Sequence, residues 1–521
     1  MNEGDIPHRE PSTEGFPWLG PILLLASLGL LAEAAYHWWP RTVDDAFITF
    51  RYAQNLVDGL GPVYNAGERL EGYSSPIWML GSATVIALGI DPVVASKWAG
   101  LLAAGALSVA VYVALRASQV RGWGAGLATC AVGGSFVLQL WNVSGMETAA
   151  YAALFFVALA IASCIGNTVR GALWTSAFLA AASLTRPEGL MFWGLGFALH
   201  LHGGRTLPRR LLAYALPGLA IALYFAFRFA YYGFPFPNTY YAKTGGGLRM
   251  WAQGREGLIR FMSEPAIAIL MTAAFVGLVL GLSKRETRRA AAIMGGAALV
   301  HLVWVVSVGD DGLFKYRFYV PIVGPVAFLV GLLFHASAAV PLSRATPRDR
   351  LLAGLGTLAI CIAVPLSVSN FHSNALPSLR GRMGQYLEGN IKLGRHLAKT
   401  RGPDTVIAVP SAGAIPFYSE LPTIDMYGLN DAHIARVPFP KGVPGRMMKW
   451  DNAYVLSQDP DVIVMNRGYR RPGEARRRSL APMDRDLIDR VRLDRRYAPT
   501  SIQFDDGSSF EVYERVSGAV Q

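Results

Sequence analysis

Residues 21–56 decide the fold: the apolar stretch PILLLASLGLLAEAAYHWWP is followed directly by the polar stretch RTVDDAFITFRYAQNL. The apolar run extends from Phe16 to Trp39, and its one charged residue, Glu33, lies near its end. A run of this length crosses a lipid bilayer as an α-helix. It carries no small-residue cleavage site, so we interpret it as a retained transmembrane helix rather than a signal peptide.

The whole chain has the composition of a polytopic membrane protein. Of its 521 residues 52% are apolar and 16% are charged, whereas about a quarter of the residues in soluble proteins are charged. This composition excludes disorder, collagen and coiled coil. The three cysteines lie inside apolar runs, which excludes a disulfide scaffold. The net charge of +12 lies mostly in short connections, so we expect a lipid bilayer and no nucleic acid as partner.

Ten further apolar runs bring the number of predicted spans to eleven. They cover 93–115, 122–140, 148–165, 172–185, 189–202, 208–231, 264–283, 290–308, 320–338 and 351–370. A shorter stretch, 76–89, has fourteen residues, fewer than the twenty or so that a span needs. We interpret it as a helix at the outer surface.

The positive-inside rule predicts the topology. Alternate connections carry thirteen cations and two anions, Glu286 and Asp349. The cations are Arg116, Arg121, Arg170, Arg205, Arg209, Arg210, Lys284, Arg285, Arg288, Arg289, Arg344, Arg348 and Arg350. We therefore expect a multi-pass protein of the cell membrane with its N-terminus in the cytoplasm.

This topology divides the chain into two domains. Residues 1–370 form a transmembrane domain with a first outer loop at 40–92, and residues 371–521 form an outer, soluble α/β domain. The strand-like segments of the outer domain are Val406–Val409, Val462–Met465 and Phe510–Tyr513.

Two adjacent carboxylates, Asp44 and Asp45, follow the first span. Near a low-dielectric boundary such a pair is costly unless something binds it. Repulsion between like charges raises one pKa toward the range of a general base. The alternative is a helix N-cap, with either aspartate capping Ala46 to Val57.

The tip between two short predicted spans reads LTRPEG, residues 184–189. Each flanking helix reaches roughly 21 Å, less than the ~30 Å hydrocarbon core, so the tip and Arg186 are expected below the outer surface. A cation at this depth needs an anionic partner. That partner is either a lipid-linked phosphate or an internal carboxylate, Glu147 or Glu188.

Two further outer loops carry polar residues. The segment 237–243, PNTYYAK, contains Asn238, Tyr240, Tyr241 and Lys243; these side chains suit sugar and phosphate binding, or form an interfacial aromatic belt. The loop 309–319 carries Asp310 and Asp311 before Lys315 and Arg317. Cations on the outer side indicate an anionic ligand, unless one of these aspartates is their partner.

Taken together, these segments resemble the GT-C membrane glycosyltransferases and, within them, the mycobacterial terminal arabinofuranosyltransferases and their bacterial relatives. The resemblance rests on the first outer loop, DDAFITFRYAQNL with VYNAGERLEGYSSPIW, on LTRPEGL, on PNTYYAK and on the glycine–aspartate element that leads to Arg317 and Phe318. It also includes PSAGAIPFYSELPTIDMYGLND, residues 410–431. The motifs keep their order over nearly the whole chain.

The resemblance implies a GT-C fold and a sugar donor attached to a polyprenyl phosphate. It implies Asp44 as the catalytic carboxylate with Asp45 in support, and phosphate contacts from Arg186, Lys243 and Arg317. The residues that it implies for binding sugar or acceptor are Glu71, Tyr73, Glu147, Glu188, Asn238, Tyr240, Tyr241, Asp310, Asp425, Asn430, Asp431 and His433. For the turn at 425–433 the alternative is a well-capped Asx turn.

Some GT-C relatives bind a divalent cation through their acidic pair. Mg²⁺ or Ca²⁺ at Asp44 and Asp45 is therefore one option, although two adjacent carboxylates make an incomplete oxygen shell. The sequence implies no certain cofactor.

The expected function is transfer of a sugar, arabinofuranose in the first instance, from the lipid donor to a cell-envelope glycan or glycoconjugate on the outer face. One alternative is a related GT-C transferase that moves another sugar to an exported protein or lipopolysaccharide. Another is a transporter or flippase for lipid-linked sugars, for which we expect inverted repeats and midplane polar groups. A third is a catalytically silent envelope-assembly protein.

Overall fold

A computed structural model describes residues 17–201, 205–309, 316–337, 346–378, 381, 384–440, 448–474 and 481–516. The helices in chain order are α1 (Leu19–Trp38), α2 (Asp44–Val57), α3 (Pro76–Ala87), α4 (Pro92–Ala117), α5 (Gly122–Gly133), α6 (Phe136–Trp141), α7 (Thr148–Cys164), α8 (Val169–Thr185), α9 (Gly189–Leu199), α10 (Leu207–Tyr232), α11 (Asn238–Lys243), α12 (Leu248–Met262), α13 (Pro265–Ser283), α14 (Arg288–Val308), α15 (Val323–Gly331), α16 (Pro347–Asn370), α17 (Leu376–Ser378), α18 (Gly384–Thr400), α19 (Ala414–Ser419), α20 (Asn452–Ser457) and α21 (Pro482–Leu493).

Seven helical segments in the described part of the chain are long and apolar enough to cross a membrane. They are Leu19–Trp38, Pro92–Ala117, Leu207–Tyr232, Pro265–Ser283, Arg288–Val308, Arg317–His335 and Pro347–Ser378. The segment Arg317–His335 begins and ends with 3-10 turns around α15 and is mostly buried inside the protein. The chain is therefore a multi-pass membrane protein, as the sequence predicts.

The other four predicted spans are shorter helices, so the total of eleven stays a prediction. The run 122–140 is divided between α5 and α6, because Ser135 begins a new helix by accepting a hydrogen bond from the Leu138 N–H. Helix α9 has 11 residues and therefore reaches only ~17 Å. Helix α3 has 12 residues, which is also too short to span the bilayer.

The outer part of the chain contains one five-stranded sheet. Its strands are β1 (Ile407–Val409), β2 (Thr423–Asp425), β3 (Val462–Arg470), β4 (Tyr497–Gln503) and β5 (Ser509–Arg515), in the order β2-β1-β3-β5-β4. Strand β1 is parallel to β2 and β3, whereas β5 is antiparallel to β3 and β4. The three strand-like segments of the sequence analysis are confirmed, and β2 and β4 are additional.

Helices cover both faces of this sheet, which makes the outer unit an α/β sandwich. Leu393 and Ile415, from α18 and α19, pack on one face, and Leu456 and Leu487, from α20 and α21, pack on the other. The proposed boundary at 370 falls where α16 ends, and helical turns continue from there to Ser378.

The outer unit is attached to the first outer loop by hydrogen bonds. Arg51, on α2, is buried and donates to the carbonyl oxygens of Pro416, Leu421 and Tyr64. Tyr64 Oη donates to the Ala412 carbonyl oxygen (2.7 Å). Because backbone carbonyls of the outer unit accept these bonds, the main chain of the outer unit is held against α2. This contact positions the site that is described next.

Candidate active site

The carboxylate of Asp44 lies at the contact between the first outer loop and the outer unit. It accepts hydrogen bonds from Asn390 Nδ2 (3.0 Å), from the Gly413 N–H (3.1 Å) and from the Ala414 N–H (3.2 Å). Helix α2 begins at Asp44 itself, and its N-cap, Val43, makes no side-chain cap. The N-cap alternative for the aspartates is therefore wrong, since both occupy the first turn.

Desolvation changes the acidity of this carboxylate. Burial raises the pKa of Asp44 from 3.8 to about 6, and the charge of Asp45 adds to this shift. The three hydrogen bonds act in the opposite direction. A carboxylate has about four acceptor positions, and the described residues occupy three of them. One position on Oδ2 remains, so Asp44 can accept a proton near neutral pH.

Asp45 points toward Arg317, which begins the segment Arg317–His335 of the transmembrane domain. Its Oδ2 lies 3.9 Å from Arg317 Nη1, and the side chains of Asp45 and Arg317 are 22% and 5% exposed. Arg317 Nη1 also lies 3.4 Å from the Met146 sulfur, and the guanidinium stands over the Trp141 ring. The two aspartates therefore differ in their partners: Asp44 contacts the outer unit and Asp45 contacts the transmembrane domain.

Two arginines meet at one aromatic ring. The guanidinium carbons of Arg317 and Arg186 lie 5.4 Å and 5.5 Å from the centroid of the Phe318 ring. Residues that are 131 positions apart in the sequence thus contact the same ring. Asp45 adjoins this cluster through Arg317, so the structure brings Asp45 and two of the three predicted phosphate ligands together.

Arg186 has internal partners. Its Nη1 donates to Glu147 Oε1 (3.0 Å) and its Nε donates to Glu188 Oε1 (2.5 Å). All three side chains are buried. The internal-pair alternative of the sequence analysis is therefore confirmed. Two carboxylates on one guanidinium leave the group with net negative charge when both are ionised.

The donor set around Asp44 and Asp45 does not fit Mg²⁺ or Ca²⁺. Both oxygens of Asp44 accept N–H groups, and the cation nearest to Asp45 is Arg317. These ions need six or more oxygen ligands, and a guanidinium beside the site repels a divalent cation. We therefore derive no step through a metal at this pair.

A second polar cluster lies at the far end of α2. Glu71 is buried and its oxygens accept hydrogen bonds from Arg228 Nε (2.6 Å) and Tyr224 Oη (2.5 Å). Burial raises the pKa of Glu71 above its usual value. The Glu71 carbonyl accepts from the Asn238 N–H. Tyr52, eight residues after Asp44, donates from its hydroxyl to the Leu70 carbonyl within this cluster, which is ~12 Å along the helix from Asp44.

The turn after β2 belongs to this second cluster. Asp425 accepts hydrogen bonds from the N–H groups of Tyr427 and Asn430, and Asn430 is within 3.2 Å of the Tyr52 hydroxyl. The Asx-turn alternative is thereby confirmed. Asn238 donates to the carbonyls of Gly428, Leu429 and Asp431. Contact of these residues with an acceptor stays a prediction.

Two of the remaining predicted residues border the second cluster, because the Tyr73 ring centroid lies 5.0 Å from that of Tyr52 and the Asp431 carbonyl accepts a hydrogen bond from Asn238. Tyr73 is buried, with its hydroxyl 3.1 Å from that of Tyr232. Asp431 accepts from the Ile434 N–H and from the Tyr454 hydroxyl, and His433 Nε2 lies 3.0 Å from Asp451. Asp310 lies outside the described residues.

Helix α11 carries the last three predicted residues. The Tyr240 ring packs against the Phe236 ring at a centroid distance of 4.7 Å and lies edge-on to the Tyr241 ring. Lys243 is exposed at the end of the helix. Next to Tyr241 lies an open cavity of about 400 Å³, lined in part by Arg249, Arg436 and Lys449. Lys449 Nζ donates to the Tyr241 carbonyl oxygen, so this cationic cavity and the aromatic helix adjoin.

Sequence reasoning missed several of these contacts. Arg228 is a charged residue inside the apolar run 208–231. A charge in such a run indicates a buried partner of opposite charge, and this signal could have predicted a pair with a carboxylate. The glycine of the motif at 410–431, Gly413, is required because a Cβ there would lie 2.0 Å from the Asp44 carbonyl oxygen. Nothing in the local sequence around Asn390 indicates its bond to Asp44.

The same arrangement of helices and outer sheet occurs in solved structures. ArnT from Cupriavidus metallidurans bound to undecaprenyl phosphate matches 96% of this chain, over 99% of its own length, with a TM-score of 0.57 and 13% identity. The apo state of the same protein matches with a TM-score of 0.55 and 15% identity. At such identities the likeness concerns the fold.

The chain therefore has an ArnT-like GT-C fold, so the predicted fold class is confirmed. Its sequence is 28% identical over 336 residues to the terminal beta-(1->2)-arabinofuranosyltransferase of Corynebacterium glutamicum, and 28% identical over 314 residues to that of Mycobacterium tuberculosis. These alignments cover 55% and 52% of this chain and 47% and 50% of the relatives. The chain thus spans about half the length of these relatives. Residues 378–513 match the family described as "Domain of unknown function (DUF8728)".

Proposed function

We propose that the chain transfers a sugar, arabinofuranose, from a polyprenyl-phosphate donor to a cell-envelope glycan on the outer face of the cell membrane. The observation that carries this proposal is the cluster in which Arg317 and Arg186 both contact the Phe318 ring and Asp45 lies beside Arg317. The names of the sequence relatives support arabinofuranose. The fold neighbour bound to undecaprenyl phosphate supports a lipid-linked donor.

The donor phosphate binds between Arg317 and Arg186 in this proposal. Cleavage of the bond between the anomeric carbon and the phosphate oxygen leaves both bonding electrons on the phosphate. The two buried guanidinium groups stabilise that growing negative charge at low dielectric, and for Arg186 this requires that Glu147 or Glu188 carries a proton. The phosphate competes with Asp45 for Arg317, whose Nη1 lies 3.9 Å from Asp45 Oδ2.

The acceptor hydroxyl oxygen attacks the anomeric carbon as the phosphate leaves. Its proton passes to Asp44, whose raised pKa of about 6 makes it a base near neutral pH. The N–H groups of Gly413 and Ala414 hold the Asp44 carboxylate in place. Asp45 supports the step electrostatically by stabilising positive charge that develops on the sugar ring.

We place the acceptor glycan in the cationic cavity beside Tyr241. Arginine and lysine donors together with an aromatic face suit a chain of sugar hydroxyls. Arg249, Arg436 and Lys449 line this cavity, and Lys449 fixes α11 beside it.

The proposal is tested with the purified chain and a panel of polyprenyl-phosphate sugars that differ only in the sugar. A mycobacterial-type arabinan oligosaccharide serves as acceptor, and mass spectrometry detects the product. We expect a product one pentose heavier from the arabinofuranosyl donor. A product only from another sugar donor would replace arabinofuranose while keeping the lipid-phosphate chemistry, and no product from any donor would contradict the proposal.

A further inference from the structure

Three metal-ligand side chains meet at a place that the proposed reaction does not use. Glu33 and His37 lie one turn apart near the end of α1, and His372 lies in the π-helical turn Phe371–Ala375 that follows α16. Glu33 is also the one charge in the apolar run 16–39. Ionisable residues in such a run mark functional positions when they have named partners.

The geometry of the three side chains is that of a metal-ligand set. Both His37 Nε2 and His372 Nε2 lie 3.0 Å from Glu33 Oε1. One ligand atom of each residue lies within 4.8 Å of the others. Around an ion with bonds of about 2.0–2.1 Å, tetrahedral ligand atoms lie roughly 3.4 Å apart, so a small rotation of the side chains suffices for coordination.

A second observation points to a missing partner. Glu33 Oε2 is buried and has no hydrogen-bond partner among the described residues. Hydrogen bonds from the two imidazoles to Oε1 would leave this oxygen unsatisfied, and buried polar atoms normally have partners. A metal ion between the three residues would be coordinated by both imidazole nitrogens and by the carboxylate at the same time.

We propose that Glu33, His37 and His372 bind a divalent transition-metal ion of the zinc type. Two imidazoles and one carboxylate suit zinc, whereas Mg²⁺ and Ca²⁺ prefer oxygen ligands alone. π-helical turns occur frequently at functional sites, and buried Phe371 packs edge-on against the His372 ring and so orients it.

The ion would connect the end of the first long helix to the segment that leads into the outer unit. His37 precedes Asp44 by seven residues, and His372 precedes α18, whose Asn390 binds Asp44. The role assigned by this geometry is structural: the metal fixes the two chain segments that meet at the Asp44 carboxylate. This inference stands independently of the proposed function.

The test measures metal binding by the full chain, purified in detergent with an affinity tag that contains no histidine. After chelation and removal of the chelator, the protein receives zinc or magnesium, and bound metal is counted by mass spectrometry after gel filtration. We expect about one zinc per chain, no retained magnesium and a higher unfolding temperature with zinc. The double variant His37→Gln/His372→Gln should lose the zinc and the temperature shift, and each single variant should weaken zinc binding at least about tenfold.

The matched control is His396→Gln, which removes a histidine of α18 that lies beside Phe504 rather than in the cluster. It should retain zinc as the unaltered chain does. Equal zinc retention by the double variant and the unaltered chain would overturn the proposal, as would an unaltered chain that retains none. If the double variant fails to fold, Glu33→Gln and the single histidine variants are compared at equal protein recovery, and undiminished zinc affinity in all of them overturns it.

Discussion

The carboxylate of Asp44 accepts a hydrogen bond from the backbone N–H of Gly413, 369 residues further along the chain. Asp44 is the first residue of the helix in the first outer loop, and Gly413 directly precedes a helix of the outer unit. Neither segment alone can position this side chain. The outer unit is therefore part of the active site in this account, since it supplies all three N–H donors that hold the carboxylate.

The first prediction concerns this contact. Gly413→Ala places a Cβ 2.0 Å from the Asp44 carbonyl oxygen and 2.5 Å from Oδ2, so the outer unit must shift. We expect sugar transfer to fall at least tenfold, which corresponds to about 1.4 kcal/mol of transition-state stabilisation. Initial rates with saturating donor measure the effect. The control is Gly402→Ala, where a new Cβ meets nothing within 4 Å. Equal transfer rates for the two variants would show that the contact between Gly413 and Asp44 is not needed for activity.

The second prediction concerns the acidity of Asp44. Because burial raises its pKa from 3.8 to about 6, the folded chain holds a proton that the unfolded chain releases in this interval. The stabilising contribution is complete below pH 3.8 and is lost as pH rises through about 6, on the order of 3 kcal/mol. Asp44→Asn should remove that loss, so its unfolding temperature should rise relative to that of the unaltered chain from pH 3.8 to about pH 6, and the difference should stay constant above that. Parallel pH profiles for the two proteins would argue against a raised pKa at Asp44.

The same acidity predicts a pH dependence of the reaction. Protonation of Asp44 removes the base, so kcat/KM should fall below about pH 6 rather than below pH 4. Asp44→Asn should abolish transfer at every pH, whereas Asp45→Asn should lower the rate and shift the midpoint somewhat below 6, because the charge of Asp45 helps to raise the pKa of Asp44. A profile that Asp44→Asn leaves unchanged would assign the base to another residue.

The third prediction separates two roles of Arg186. Arg186→Gln leaves the buried carboxylates of Glu147 and Glu188 without their cation, and breaking a buried pair costs about 3–5 kcal/mol. We expect a lower unfolding temperature and weaker donor binding. The triple variant Arg186→Gln/Glu147→Gln/Glu188→Gln removes the uncompensated charge and should recover stability. Donor affinity that recovers with it would show that Arg186 only neutralises the two glutamates.

The fourth prediction concerns the acceptor cavity. Arg249→Ala should raise the KM for the acceptor about three- to tenfold, the effect of one lost charged hydrogen bond, and leave donor affinity unchanged. Arg255→Ala, on the same exposed helix but outside the lining of the cavity, is the matched control. An equal KM in both variants would place the acceptor elsewhere.

The sequence predicts the membrane-spanning character and the α/β outer unit, because apolar runs and alternating strands are local signals. The resemblance groups Asp45, Arg186 and Arg317, which the structure brings together around Phe318, and their chemical roles stay predictions. The number of spans stays a prediction: the run 122–140 is predicted as one span, yet a side-chain cap at Ser135 divides it into two helices. The burial of a side chain by contacts between distant segments also cannot be predicted from the local sequence. Glu71 and Asn238 have the polarity expected of sugar ligands. In the structure, however, Glu71 accepts a hydrogen bond from Arg228, and Asn238 donates to the turn after β2.

Sugar transfer as proposed requires that one donor headgroup binds between the aspartates and the cluster of Arg186 and Arg317. The most direct measurement is sugar transfer from a radiolabelled polyprenyl-phosphate arabinofuranose by the purified chain, compared with Asp44→Asn and with Arg317→Gln. We predict transfer by the unaltered chain, full donor binding without transfer by Asp44→Asn, and weakened donor binding by Arg317→Gln. Transfer at the unaltered rate by Asp44→Asn, together with unchanged donor binding by Arg317→Gln, would contradict the account.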